Sequence, residues 1–344
     1  MSSLAAYKDS SSNVISSSLR RSRLVKALSC ALLLTILNHF PTCIAQAFPT
    51  RPVSFIVPFA VGSSTDIMTR LLAKGLNERL NTSFFIVEDK PGASGIVGAS
   101  YVAKAKPDGY TLLVTTGTTH SQNPWLFKQL SYNPLVDFEA VAGIGGVPLA
   151  LLVKNDSPIR SLNELISFVK STKIPQSYGT AFGLATICSE TIKKSSGIDL
   201  TQIPYKSSPQ AITELIGGQT LMLCNDLNSS MSAIRGNQVR ALAVTIETRS
   251  AQLPNVPAIT EFMPMFPTMR SWVAVVAPKG TAPEIIGILA KNILEVTSSE
   301  SFLKPLTLNG FERLALAEQS LTAFFNEDLE KSKILIRDAG IKPQ

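Results

Sequence analysis

From residue 52 onward the sequence repeats one phrase: a short, nearly all-apolar run, a turn of small residues, then a stretch with apolar positions three and four apart. "VSFIVPF" (53–59) has the continuous apolar character of a strand covered on both faces. After "AVGSS", a helix is expected to start near Ser64, with Ile67, Leu71, Leu72 and Leu76 on one side and Ser63 and Asp66 at capping-box spacing. "SFFIVEDKPG", "SGIVGASYVAKA" and "YTLLVTT" continue as strand, helix, strand. The same device returns in "SLNELISFVKS", where Ser161 caps and Glu164 follows, in "PQSYGTAFGLATICSETIKKSSG", and in "TQIPYKSSPQAITELIGG". "QTLMLCNDLNSS", "VRALAVT" and "SWVAVVAPKG" read as strands. "APEIIGILAKNILEVTSS", with Pro283 in its first turn, and "AEQSLTAFFNEDLEKSKILIRDAG" read as helices. The alternation predicts an α/β fold with parallel strands and crossover helices.

Two α/β units are expected. The segment 135–156 carries two apolar runs separated by glycines, and the chain is expected to cross between units near 147–150 and return near 266–272. This puts one lobe at 48–148 with 270–344, and inserts the other, 149–269, into it.

The first 47 residues stand apart. Arg20, Arg21, Arg23 and Lys26 precede the apolar run "ALSCALLLTIL", and "AQA" closes at Ala47. That is the form of a secretory signal, 1–47, cleaved after Ala47. Lipidation at Cys43 is the rival reading, against which stands the unsuitable "FPTC" context. No later run approaches the roughly 18 apolar residues of a membrane span. Without the leader the charge falls from +7 to a near balance of 27 basic and 24 acidic residues, with no basic run. Nucleic acid is therefore not an expected partner. Cys188 and Cys224 are then the remaining cysteines, and in an oxidising compartment they can pair or stand as two buried thiols. Two cysteines and a single histidine, His120, are too few for the usual zinc sets.

Three kinds of chemistry could use a small, hydroxyl-rich turn between strand and helix. A phosphate loop needs a second glycine and a lysine that Gly62 lacks. "GIGGVP" (143–148) resembles a dinucleotide fingerprint, but no helix start follows it. A nucleophile elbow needs G-x-S-x-G, and Gly62-Ser63-Ser64-Thr65-Asp66 lacks the second glycine. A serine hydrolase would have to bring His120 to Ser63 or Ser64 through space. The remaining option is an anion site made of helix N-terminal N–H groups. A single such turn reads equally well as a plain helix cap. However, "TTGTTH", "YGTAFG" and "PYKSSP" place similar loops after other strands, and strand carboxyl ends are where ligands sit in open α/β sheets. Together they suggest a cleft of N–H and O–H donors for a carboxylate-like group. His120 could donate to a ligand or steady the loop before "NPWLF", the structural role being the expected one, and Trp125 and Trp272 are expected to serve core or hinge packing. Asp226, at a strand end, would repel a carboxylate unless it takes a ligand ammonium or orders its loop.

The motifs "RPVSFIVPFAVGSSTDIMTRLLA", "DKPGASGIVGASYVAKAKPDGYTLL", "HSQNPWLF", "YNPLVDFEAVA", "VRALAVT", "LPNVPAITE" and "VVAPKGTAPEII" occur in this order over nearly all of residues 48–343. Together they resemble the Bug family, extracytoplasmic receptors of tripartite tricarboxylate transporters. The resemblance implies a two-lobed periplasmic binding protein of type II, with a central sheet and flanking helices in each lobe and a ligand cleft between the lobes. It implies a monomeric, non-enzymatic receptor in the periplasm, without cofactor, metal or catalytic residues. Such a receptor captures a small carboxylate and delivers it to membrane transporter subunits or, in a signalling variant, to a sensor kinase. Carried onto this chain, the ligand-binding positions are Phe59, Gly62, Ser63, Ser64 and Thr65, then Thr116 and Thr118, all in the first lobe. In the second lobe they are Thr180, Gly183, Ser207, Asn225 and Asp226. The chain departs from the family pattern at Val61 and Ser63, where proline and a second glycine are usual, and a serine there is expected to reshape the loop. "FGLATICSE" also lacks a histidine before its helix, and Asn225-Asp226 inverts the usual order.

Overall fold

The computed structural model describes residues 48–308 and 310–344. The signal segment, its cleavage site and Cys43 lie outside the described residues. β1 (Val53–Val57) leads into α1 (Ser64–Leu80), followed by β2 (Phe85–Asp89), α2 (Ile96–Ala103) and β3 (Thr111–Thr116). These three strands pair in parallel in the order β2-β1-β3, as short strands joined by crossover helices must. A π-helical turn, Thr118–Gln122, and the single-turn α3 (Asn123–Leu126) come next.

The expected pair of apolar runs in 135–156 is instead one 17-residue strand, β4 (Phe138–Lys154). Along 138–148 it pairs antiparallel with β9 (Arg270–Pro278). From Leu149 on it pairs with β7 (Met222–Asp226) on one edge and β8 (Val239–Val244) on the other. The glycines interrupt the apolar pattern without breaking the strand, because neighbours occupy the space a side chain would need. A Cβ on Gly146 would stand 2.0 Å from the Ser271 carbonyl oxygen, and one on Gly145 would stand 2.2 Å from the Phe311 ring. The glycine run therefore lets strands approach closely.

Between β4 and β9 lie α4 (Leu162–Ser171), β5 (Ser177–Thr180), α5 (Gly183–Ser196), β6 (Thr201–Pro204) and α6 (Ser208–Ile216). β7, α7 (Leu227–Arg235) and β8 complete this stretch. β5 pairs in parallel with β6 and β7. The apolar run ending in "NDLNSS" is a strand only as far as Asp226. The following residues form α7, held by Leu227 and Met231 against Ala150, Leu152 and Leu223. Asn-Ser-Ser is a poor helix former, so the packing decides. After β9 come α8 (Pro283–Ser298), α9 (Glu300–Thr307), β10 (Glu312–Arg313), which pairs with β4, and α10 (Glu318–Ala339).

Each half of the sheet is covered on both faces. Phe55 and Val57 join one core cluster and Ile56 another, the two-residue period of a strand buried on both sides. In the second half, Leu149, Leu151 and Val153 of β4 face one core, and Ala150 and Leu152 face the other. α10 crosses between the halves: Leu321 and Phe325 pack with Trp272 and Ala274, while Ile336 packs with Ile187 and Cys188. Cys188 of α5 and Cys224 of β7 are joined by a disulfide, and both are fully buried. Among the described residues no helix is long and apolar enough to cross a membrane.

Candidate functional site

The loop after β1 is built by three residues. Gly62 takes the left-handed turn at φ +79°. Ser63 sits in extended backbone (φ −66°, ψ 158°), and its hydroxyl accepts from Asp66 N–H, capping α1. The positive φ of this loop falls on Gly62 and not on Ser63. The Asp66 carboxylate accepts from Gly62 N–H at 2.8 Å and is held by Arg70, which also pairs with Asp89. This fixes the loop one residue further back than a standard capping box would. Ser64 and Thr65, as the first two residues of α1, have no carbonyl one turn back to receive their N–H groups.

Four helix N-termini converge with this loop on one cavity of about 60 Å³. α1 contributes Ser63, Ser64 and Thr65, and α5 contributes Phe182 and Leu184. α6 contributes Ser207 and Ser208, and Asp226 stands at the head of α7. Thr116, Gly117, Thr118 and Gln122 line the cavity from the loop after β3, and Phe59 from the loop after β1. Gly62, Thr180, Gly183 and Asn225 are not in its lining. Thr180 and Gly183 border an adjoining groove of about 1090 Å³, which shares Phe59, Ala181 and Phe182 with the cavity. Asn225 is buried behind it, its amide donating to Ser230 Oγ. Gly62 packs towards Pro209 of α6.

Hydrogen bonds cross the cleft. Gly183 N–H donates to Thr118 Oγ1 at 3.2 Å, so a hydroxyl from the β3 loop caps the helix across the cleft, whose own N-cap residue Phe182 offers none. Asn228 Nδ2 donates to Ser64 Oγ, also at 3.2 Å.

Sequence reasoning missed the other wall of the cavity. Thr268 to Val273 line it from β9 and the loop before it, and Asp328, Lys331, Ser332 and Leu335 line it from α10. Trp272, expected only to pack, also belongs to this wall. Its Nε1 donates to Asp328 Oδ2 at 2.8 Å and its ring stacks on Phe325. One signal was present: Ser332 falls on the buried side of α10 between Phe325 and Ile336, and a hydroxyl in an apolar register marks a wall that is not pure core. Arg270 also lines the cavity but is paired with Glu312.

His120 lies 4.0 Å, centroid to centroid, from the Phe325 ring, with Nδ1 3.5 Å from Thr115 Oγ1. Burial lowers its imidazole to about 3, so it is neutral at physiological pH. It is not in the cavity lining, whereas Ser63 caps α1 and Ser64 is bound by Asn228. The residues a hydrolase would need are thus engaged in structure. Burial pushes the Asp226 carboxyl up to about 7, with the nearby Ser271 hydroxyl working the other way.

The model of the tripartite tricarboxylate transporter family receptors, TctC, matches residues 68–341. The chain belongs to that family. A UPF0065 protein of Bordetella bronchiseptica is 34% identical over 93% of this chain and 96% of its own length. Protein BugT of Bordetella pertussis is 30% identical over 87% and 92%. Among solved structures, an R. palustris protein with adipate superposes at a TM-score of 0.83, with 31% identity, covering 86% of this chain and all of its own. MatC of Rhodopseudomonas palustris, with bound malate, superposes at 0.78 with 28% identity, covering 84% of this chain and all of its own. TctC proteins are solute-binding receptors with the two-lobed fold of periplasmic binding proteins, and this chain shares that architecture.

Proposed function

We propose that this receptor closes on a small carboxylate in the cavity between its halves and hands it to the membrane subunits of a tripartite transporter. The observation that carries this reading is the convergence of four helix N-termini on one cavity, two of them with hydroxyl-bearing first turns, with hydrogen bonds joining Gly183 to Thr118 and Asn228 to Ser64 across it. Helix N-termini favour negative charge and offer unpaired donors, and the adipate and malate in the two related structures are both carboxylates. The lobes are 48–148 with 270–344, and 149–269, with α10 leaning from the first onto the second. The strands passing between them, β4 and the segment before β9, form the hinge. A solute that touches both halves favours the closed form. Residues 1–47 are the leader that directs the chain to the periplasm, where the receptor acts as a monomer without catalysis.

Thermal-shift measurements against di- and tricarboxylates test this. A solute present at a hundred times its Kd stabilises by about 2.7 kcal/mol, a shift of several degrees. Stabilisation by at least one small acid is expected, and no shift with any of them would overturn the reading.

A further inference from the structure

Asp226 is a carboxylate in the wrong place for a site that takes only anions. It lines the cavity, is 8% exposed, and its Oδ1 accepts no hydrogen bond. It stands at the head of α7 without capping that helix, so helix formation does not occupy the side chain. The cavity's other acid, Asp328, is engaged by Trp272. Of the basic groups in the lining, Arg270 is paired with Glu312, and Lys331 sits exposed on α10. The Ser271 hydroxyl serves the carboxylate, so Oδ1 is the oxygen left without a donor. A buried carboxylate oxygen left so is costly, and a second carboxylate brought against it adds like-charge repulsion.

We infer that the solute carries a cationic amino group as well as its carboxylate, the carboxylate at the first turns of α1 and α6 and the ammonium against Asp226. This rests on the reading that the cleft takes a small acid, and it narrows the class from plain dicarboxylates to amino acids. An ammonium supplies both the missing donor and the opposite charge, and so restores the ionised form that burial disfavours. A hydroxyl supplies the donor alone, so hydroxy acids rank second. A plain diacid supplies neither and ranks last.

Calorimetry on the purified chain at pH 8 tests this with pairs of equal carbon skeleton: succinate and aspartate, glutarate and glutamate, adipate and 2-aminoadipate. For at least one length the amino acid is expected to bind ten times or more tighter than its parent diacid, the factor a charge-assisted hydrogen bond supplies. Asp226→Asn, which keeps the shape, is expected to remove that advantage. Parent diacids that bind equally well or better at every length would overturn the inference and leave the carboxylate receptor standing. An amino-acid preference that survives Asp226→Asn would also overturn it. Binding of no acid at all would overturn both. The comparison of ligand pairs on the unaltered chain does not depend on the variant folding.

Discussion

Replacing Cys188 and Cys224 with alanine together is expected to cost most of the stabilisation that one cross-link can give. The bond closes a loop of sequence separation 36, within which lie β6, α6 and most of α5. The chain-entropy relation for a loop of that length gives about 4 kcal/mol at 25 °C, from the conformations denied to the unfolded chain. The alanines add a smaller cost for the space vacated by two fully buried sulfurs. Equilibrium urea unfolding of both proteins, with the m-values compared, reads this directly. The variant should lose at least ~3 kcal/mol and become indistinguishable in stability with and without reductant, while the parent weakens in reductant. Because α5 begins at the cavity and β7 ends there, the variant should also bind its solute less tightly. A loss below ~1 kcal/mol would refute the reasoning, since it would mean that the two cysteines stay unlinked or that the unfolded chain is not restrained by their link.

Gly146→Ala places a Cβ 2.0 Å from the backbone oxygen of Ser271, so β9 must shift where it forms the cavity wall. A loss of roughly 3 kcal/mol or more is expected in thermal or urea unfolding, and an unchanged melting temperature would contradict it. Thr118→Val leaves Gly183 N–H without its partner across the cleft, and calorimetry should show the solute bound about tenfold more weakly with the fold intact. Asp226 has a folded-state value of about 7 against an ordinary 3.8, so the folded chain holds that proton more tightly. Its contribution to stability is therefore lost as pH rises from about 4 to 7. His120, at about 3 against 6.5, acts in the opposite sense, its contribution being lost as pH falls below 6.5. Asp226→Asn removes only the first effect, so its melting temperature relative to the parent should climb between pH 4.5 and 8; a flat difference would contradict the burial argument.

The strand–turn–helix order was legible because short apolar runs and 3–4 spacing report strands buried on both faces and helices buried on one. The hydroxyl-rich turn after β1 was legible because Ser63 acts on a backbone group three residues on, whereas the partner of Thr118, the Gly183 N–H across the cleft, was not. Nor was the path of β4. Glycine in a strand usually weakens it, and here the close approach of Ser271 and Phe311, distant in sequence, makes glycine necessary. Helix α7 was hidden by poor intrinsic propensity that packing overrides. The wall formed by α10 was hidden because its cavity residues lie about a hundred residues or more from the loops they face, and local periodicity cannot report such a meeting. The capping partners of Glu164 and Asp66 were off by one residue: each carboxylate reaches the N–H before the cap, at Arg160 and Gly62.

A crystal structure of the chain with a bound carboxylate tests the central claim most directly. The account predicts carboxylate oxygens within hydrogen-bond distance of the Ser64 and Thr65 N–H groups, in the cavity that Ser207 and Asp226 share from the other side. A carboxylate held outside that cavity, or gripped by Arg270 and Lys331 with the first turn of α1 uninvolved, would contradict it.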